Sequence, residues 1–139
     1  MHLLDTDTLT HLHAGHPRVT ARLQSCADPN IGTTIITKIE LLRGRMDFLL
    51  KAENKERLLR AQQWLAQTEN LLEQIAIAAF DNDAAEMFDK LRVQSALRKI
   101  GRNDLLIASI VLANRATLVT RNVRHFKQFV GLRVVNWVD

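Results

Sequence analysis

The apolar positions of this chain change period several times. Leu3-Leu4 opens the pattern: residues 2–5 carry an apolar run that does not alternate and stops at Asp5. A short run of that kind predicts a strand buried on both faces. Residues 7–13 read as a short helix with Asp7 near its N-terminus, broken by Gly15 and His16-Pro17. Pro17 suits the first turn of a second helix, over 17–26, with Val19, Leu23 and Cys26 inward. Asp28-Pro29-Asn30 is a turn. Ile31 to Ile36 is β-branched apart from Gly32 and predicts a second strand. Thr37 is the expected cap of the next helix, with Glu40 in the capping-box position three residues on. Leu58, Leu59, Trp64 and Leu65 mark a long, highly charged helix over 52–69, and residues 74–78 a third strand. A helix over 81–98 follows, with Ala84, Ala85, Phe88, Leu91 and Leu97 inward. The break at Ile100 to Asp104 gives way to a nearly all-apolar, buried helix over 104–114, capped by Asn103 or Asp104. A strand over 116–120, a helical turn over 122–128 and a last strand over 132–136 complete the chain.

Strands alternating with helices predict βα units, hence an α/β fold with a mainly parallel central sheet of about five strands covered on both faces. At 139 residues the chain is expected to form a single domain. In such sheets ligands bind beyond the carboxyl ends of the strands, where the strand order reverses. That rule selects Asp5 at the end of the first strand and Glu40, one helical turn beyond the second. It also selects Asp104, opening the helix before the fourth strand, and Asn122, two residues after it. Each has a local alternative: Asp5, Asp7 and Asp104 are good helix caps. If they converge, three carboxylates repel one another unless a cation neutralises them. An all-oxygen set suits Mg²⁺ or Mn²⁺, and such a site suits phosphodiester hydrolysis.

Charge supports an anionic partner. The chain is formally +4, with a sequence pI of about 9.7. Its cations cluster over Arg43 to Arg60, over Arg92 to Arg102 and over Arg115 to Arg133, three stretches able to form a phosphate-contacting rim. The lone Cys26 fits a reducing cytoplasm. No apolar run approaches the roughly 20 residues of a membrane span, and no secretory signal is visible. His11, His13 and His16 do not share a helix face, so zinc is disfavoured.

The ordered set of motifs resembles the PIN-domain ribonucleases, and within them the toxins of VapBC-type toxin–antitoxin pairs. Leu3-Leu4-Asp5-Thr6-Asp7, Thr37 to Gly44, Ile100 to Ala108, Ala116 to Phe126, Gly131 to Val134 and Asn136-Trp137 carry the resemblance across essentially the whole chain. It implies a three-layer α/β/α PIN-like domain, with Asp5, Glu40 and Asp104 as acidic metal-site positions and Mg²⁺ or Mn²⁺ as cofactor. Thr6 and Thr120 match hydroxyl positions close to the site, and Thr120 is expected to bond a carboxylate or the attacking water. The family's fourth acid is replaced by Asn122 here, or in some toxins' placement by His125, so neither position offers a carboxylate to a second metal. The implied activity is metal-dependent endoribonuclease cleavage of RNA (tRNA, rRNA or mRNA), leaving a 5′-phosphate and a 3′-hydroxyl. Arg43, Arg102, Arg121, His125 and Thr6 are the candidate RNA contacts. A VapB-like antitoxin, held near the long charged helix and the apolar Met46 to Leu50, and a homodimer are the implied partners. Asn122 keeps open a catalytically impaired RNA- or protein-binding relative. A phosphoacceptor response-regulator-like domain is disfavoured, because the third strand ends Ala78-Ala79-Phe80 rather than in an aspartate.

Overall fold

The computed structural model describes residues 1–139. Its strands are β1 (His2–Leu4), β2 (Ile31–Thr34), β3 (Ala76–Ala78), β4 (Thr117–Val119) and β5 (Arg133–Val135). Its helices are α1 (Thr6–His13), α2 (Pro17–Ser25), α3 (Ile35–Lys51), α4 (Lys55–Glu73), α5 (Asn82–Arg92), α6 (Arg102–Ala113) and α7 (Val123–Phe126). The sheet runs β3-β2-β1-β4-β5 and every pairing is parallel. The first strand is thus central, and the order reverses beside it, between β1 and β4.

Successive residues of the central strands feed opposite cores. Leu3 and Leu118 pack with Leu91, Ile107, Ile110, Val111, Phe126 and Phe129 on one face. Leu4 and Val119 pack with Leu9, Val19, Leu41, Leu72 and Trp137 on the other. Two apolar faces on three-residue strands explain why the strand signals are runs rather than alternations. Helices cover both faces, giving three layers, α/β/α.

Four local expectations are corrected. The second strand ends at Thr34, whose Oγ1 accepts the Thr37 amide at 3.1 Å, so Thr34 and not Thr37 caps α3. Glu40 is therefore well inside the helix, outside any capping box. The fourth helix spans 55–73, with Asn54 Oδ1 accepting the Arg57 amide at its start. The helix expected over 81–98 ends at Arg92, and a 3₁₀ turn at Ser95–Leu97 returns Leu97 and Ile100 to the core. Helix α6 begins at Arg102 with Gly101 at its cap, so neither Asn103 nor Asp104, both in the first turn, caps it.

Helices α3 and α4 form a hairpin pinned by Arg45. Its guanidinium lies 3.7 Å from the Trp64 ring centroid and its Nε donates to Thr68 Oγ1. Burial lowers the Arg45 pKa from its ordinary value. Met46, Phe48, Leu50, Leu58 and Leu59 stay exposed on the same hairpin.

Candidate active site

Strand β1 fixes the first acid. The Leu4 carbonyl accepts Thr33 Oγ1 at 2.6 Å, and the Asp5 amide donates to Val119 O at 3.0 Å, so the chain leaves the sheet held by both neighbouring strands. Asp5 then caps α1, its Oδ1 accepting the Thr8 amide at 2.8 Å, while Thr8 Oγ1 donates to Val119 O at 3.2 Å. Capping occupies one carboxylate oxygen and leaves the other without a hydrogen-bond partner in the chain, so capping does not use up the carboxylate.

Asp5, Thr6, Asp7, Glu40, Asp104 and Asn122 line one cavity of about 310 Å³, walled on its apolar side by Ile107 and Phe126. It lies beyond the carboxyl ends of β1 and β4, at the reversal of strand order, where open α/β sheets bind ligands. Four carboxylates around one cavity repel one another. The chain supplies hydrogen-bond donors to them. Glu40 Oε1 accepts Thr6 Oγ1 and Oε2 accepts Asn103 Nδ2, both at 3.2 Å. Asp104 Oδ2 lies 2.9 Å from His125 Nε2. Asp7 Oδ2 has His11 Nδ1 at 3.6 Å and an Arg121 Nη1 at 4.0 Å.

Other expected residues fall outside the cavity wall. Thr120 is fully buried and touches no carboxylate; its Oγ1 accepts the Asn122 amide at 3.0 Å and shapes the turn that presents Asn122. Arg43 and Arg102 are exposed away from the lining, Arg102 over the Phe88 ring at 5.4 Å. Arg121 stands at the rim between Asp7 and Asp139, with Nε and Nη2 each 3.4 Å from the Asp139 carboxylate. Asn136 and Arg121 hold the Asp139 pKa below its ordinary value. Asn103, which sequence reasoning weighed only as a cap, joins α6 to Glu40 across 63 residues. Its one signal was adjacency to Asp104 in a helical first turn.

The donor set is all oxygen, which fits a hard divalent cation. The carboxylates are not drawn together: no group of three or more His, Cys, Asp or Glu side chains stands arranged to hold a metal ion. Mg²⁺ keeps several waters and takes one or two carboxylates directly, so a loosely spaced set around a 310 Å³ cavity is compatible with it.

Comparison with known proteins agrees with this geometry. The PIN domain model matches residues 2–132. The chain is 30% identical over 142 residues to Ribonuclease VapC1 of Haemophilus influenzae strain R2866, covering 99% of this chain and 98% of that one. It is 30% identical over 141 residues to Ribonuclease VapC2 of Rickettsia felis, with coverage of 99% and 98%. Among solved structures, VapBC2 from Rickettsia felis bound to a promoter DNA fragment superposes with a TM-score of 0.77 at 27% identity, covering 98% of each chain. VapBC-1 from nontypeable Haemophilus influenzae gives 0.76 at 26%, covering 99% and 98%. With a PIN match running from β1 to the loop before β5 and VapC relatives aligned along their whole length, the chain belongs to the PIN-domain family, among its VapC members.

Proposed function

We propose that this chain is a divalent-metal-dependent endoribonuclease and the toxin of a VapBC-type pair. One observation carries the reading: Asp5, Asp7, Glu40 and Asp104 share a single cavity at the β1/β4 reversal. The names of the VapC relatives support ribonuclease activity, and the VapBC complexes among the structural neighbours support a VapB-like antitoxin as partner.

Asp5, Asp104 and Glu40 would hold Mg²⁺ or Mn²⁺. That ion supplies activation of the attacking water and neutralisation of charge on the phosphate. The chain's own residues do the rest. Thr6 and Asn103 fix the Glu40 carboxylate, and His125 fixes Asp104. Asn122 offers an amide to a phosphate oxygen or a water across the cavity. Ile107 and Phe126 exclude solvent from one wall. Arg43, Arg102 and Arg121 contact the RNA backbone outside the cavity, where cations give affinity without sequence preference. The reading includes a single domain, a 5′-phosphate and a 3′-hydroxyl as products, action in the cytoplasm and a homodimeric toxin.

The test is cleavage of a defined single-stranded RNA by purified protein in Mg²⁺ or Mn²⁺ and in EDTA, with Asp5→Asn and Asp104→Asn beside the parent. Cleavage confined to the parent with metal is expected. A parent that binds Mn²⁺ and RNA but leaves the RNA intact would favour the second reading, a catalytically impaired binding protein, to which Asn122 at the fourth corner points. A parent that binds neither metal nor RNA sinks both.

A further inference from the structure

A second cavity, about 490 Å³ against 310 Å³ for the acidic one, is lined by Arg18, Ala21, Arg22, Ser25, Trp137 and Asp139. Its first four lining residues recur at helical spacing along one face of α2. Trp137 forms the floor, buried and stacked on His2, so its ring is closed to a base. The wall that remains open is cationic. Arg18 and Arg22 are both exposed, and neither guanidinium makes an ion pair or a side-chain hydrogen bond within the chain. They stand one helical turn apart, about 6 Å along the axis. That is the scale on which successive phosphates of an extended strand are spaced.

Arg121 connects this cavity to the acidic one. Its Nη1 lies 4.0 Å from Asp7, in the acidic lining, and its Nε lies 3.4 Å from Asp139, in the cationic lining. The two cavities are therefore neighbours across one arginine. Asp139 is the only acid in the second cavity, and its carboxylate is engaged by Asn136 Nδ2 at 2.9 Å as well as by Arg121. A backbone running out of the acidic cavity past Arg121 next meets Arg18, whose charge also acts on Asp139, and Arg22.

We propose that the α2 cavity is a phosphate subsite for the RNA strand. Arg18 and Arg22 hold two successive backbone phosphates of the segment flanking the scissile bond, with Arg121 exchanging Asp139 for the phosphate between theirs and the acidic cavity. This rests on the ribonuclease reading and extends it to where the strand lies. The contacts are to phosphate, so they set register and affinity and leave base choice to other contacts.

The experiment is binding of a single-stranded oligoribonucleotide in EDTA, where no divalent ion supports cleavage, as a function of salt. The proteins are the parent, Arg18→Gln/Arg22→Gln, and Lys38→Gln/Lys90→Gln as a charge-matched control that lies outside the three cationic stretches and lines neither cavity. Each phosphate contact on a single strand contributes about 0.7 to the slope of log K against log salt. The α2 pair should lower the slope by about 1.4, and the Lys38/Lys90 pair should leave it unchanged. Unaltered circular dichroism is expected, since both α2 arginines are exposed. In Mg²⁺, the α2 pair should raise KM for a long RNA while leaving cleavage of a trinucleotide as in the parent. Equal slopes for the two double variants overturn the subsite and leave the nuclease reading standing. Parent protein that shows the α2-dependent slope but never cleaves supports the subsite and overturns the nuclease reading. Absence of any RNA binding by the parent overturns the subsite.

Discussion

His125 Nε2 stands 2.9 Å from Asp104 Oδ2, joining the short helix after β4 to the first turn of α6. An ionised carboxylate only accepts, so Nε2 carries the hydrogen. The bond fixes one Asp104 oxygen and turns the rotamer, leaving Oδ1 for the cavity. On the proposed reading Asp104 is a metal ligand, and partners of this kind around such a ligand are worth about 10–100-fold in metal affinity. His125→Ala should therefore weaken Mn²⁺ binding about tenfold by isothermal titration calorimetry. His125→Gln, which keeps a side-chain N–H, should recover most of the loss. Equal Mn²⁺ affinity in all three proteins excludes the positioning role.

Asp5 caps α1 and, on the proposed reading, also holds the metal, two functions that substitution separates. Asn is as good an N-cap as Asp, whereas Ala loses the cap at a cost of about 1 kcal/mol. Asp5→Asn should keep the urea midpoint of the metal-free parent while cleavage falls at least about 100-fold. Asp5→Ala should lose both. If Asp5→Asn cleaves at the parental rate, Asp5 is a cap and nothing more.

Two glycines predict opposite outcomes. A Cβ on Gly32 would lie 2.1 Å from the Ala76 carbonyl oxygen, so β2 and β3 would have to part. Gly32→Ala should cost about 1–3 kcal/mol, as overpacking does. Gly44 lies inside α3 with nothing within 4 Å of an added Cβ. Gly44→Ala should stabilise by about 0.5–1 kcal/mol. Urea unfolding of the two variants checks both signs.

Acid sensitivity should centre on Asp28. The N-terminal ammonium at 2.7 Å, the Asn30 amide at 2.9 Å and His2 Nδ1 at 2.7 Å hold its carboxyl well below the usual range. Because the folded value is depressed, the contribution is complete above the unfolded value near 4 and is lost as pH falls through the folded one. The urea midpoint of the parent should drop between about pH 4 and pH 2.5 more steeply than that of Asp28→Asn. Parallel curves would remove Asp28 from the acid limb.

The βα order, the three-layer fold and the cavity acids Asp5, Glu40 and Asp104 were legible in the sequence, because unbroken apolar runs and strand-end carboxylates are local signals. The boundaries failed where tertiary packing overrode propensity. Ile35 and Ile36 are strong strand formers, yet they pack as helical residues against the core beside Leu3, and the cap moved back to Thr34. Thr120 was expected to bond a carboxylate or the attacking water, and its Oγ1 accepts the Asn122 amide. The contacts Asn103–Glu40 and His125–Asp104 span 63 and 21 residues and carry no periodicity. Only the packing of α6 against α3 and α7 creates them.

The position of β1 at the centre of the sheet has a consequence for synthesis. As the chain leaves the ribosome, β1 can pair with β2 early, but its other edge waits for β4, more than a hundred residues later. Until Val119 is made, the Asp5 amide and the Thr8 hydroxyl lack their acceptor, and Asn122 does not exist. A nascent chain is therefore without a finished cavity until β4 and Asn122 have been made. On the proposed reading, it cannot cleave RNA before that point.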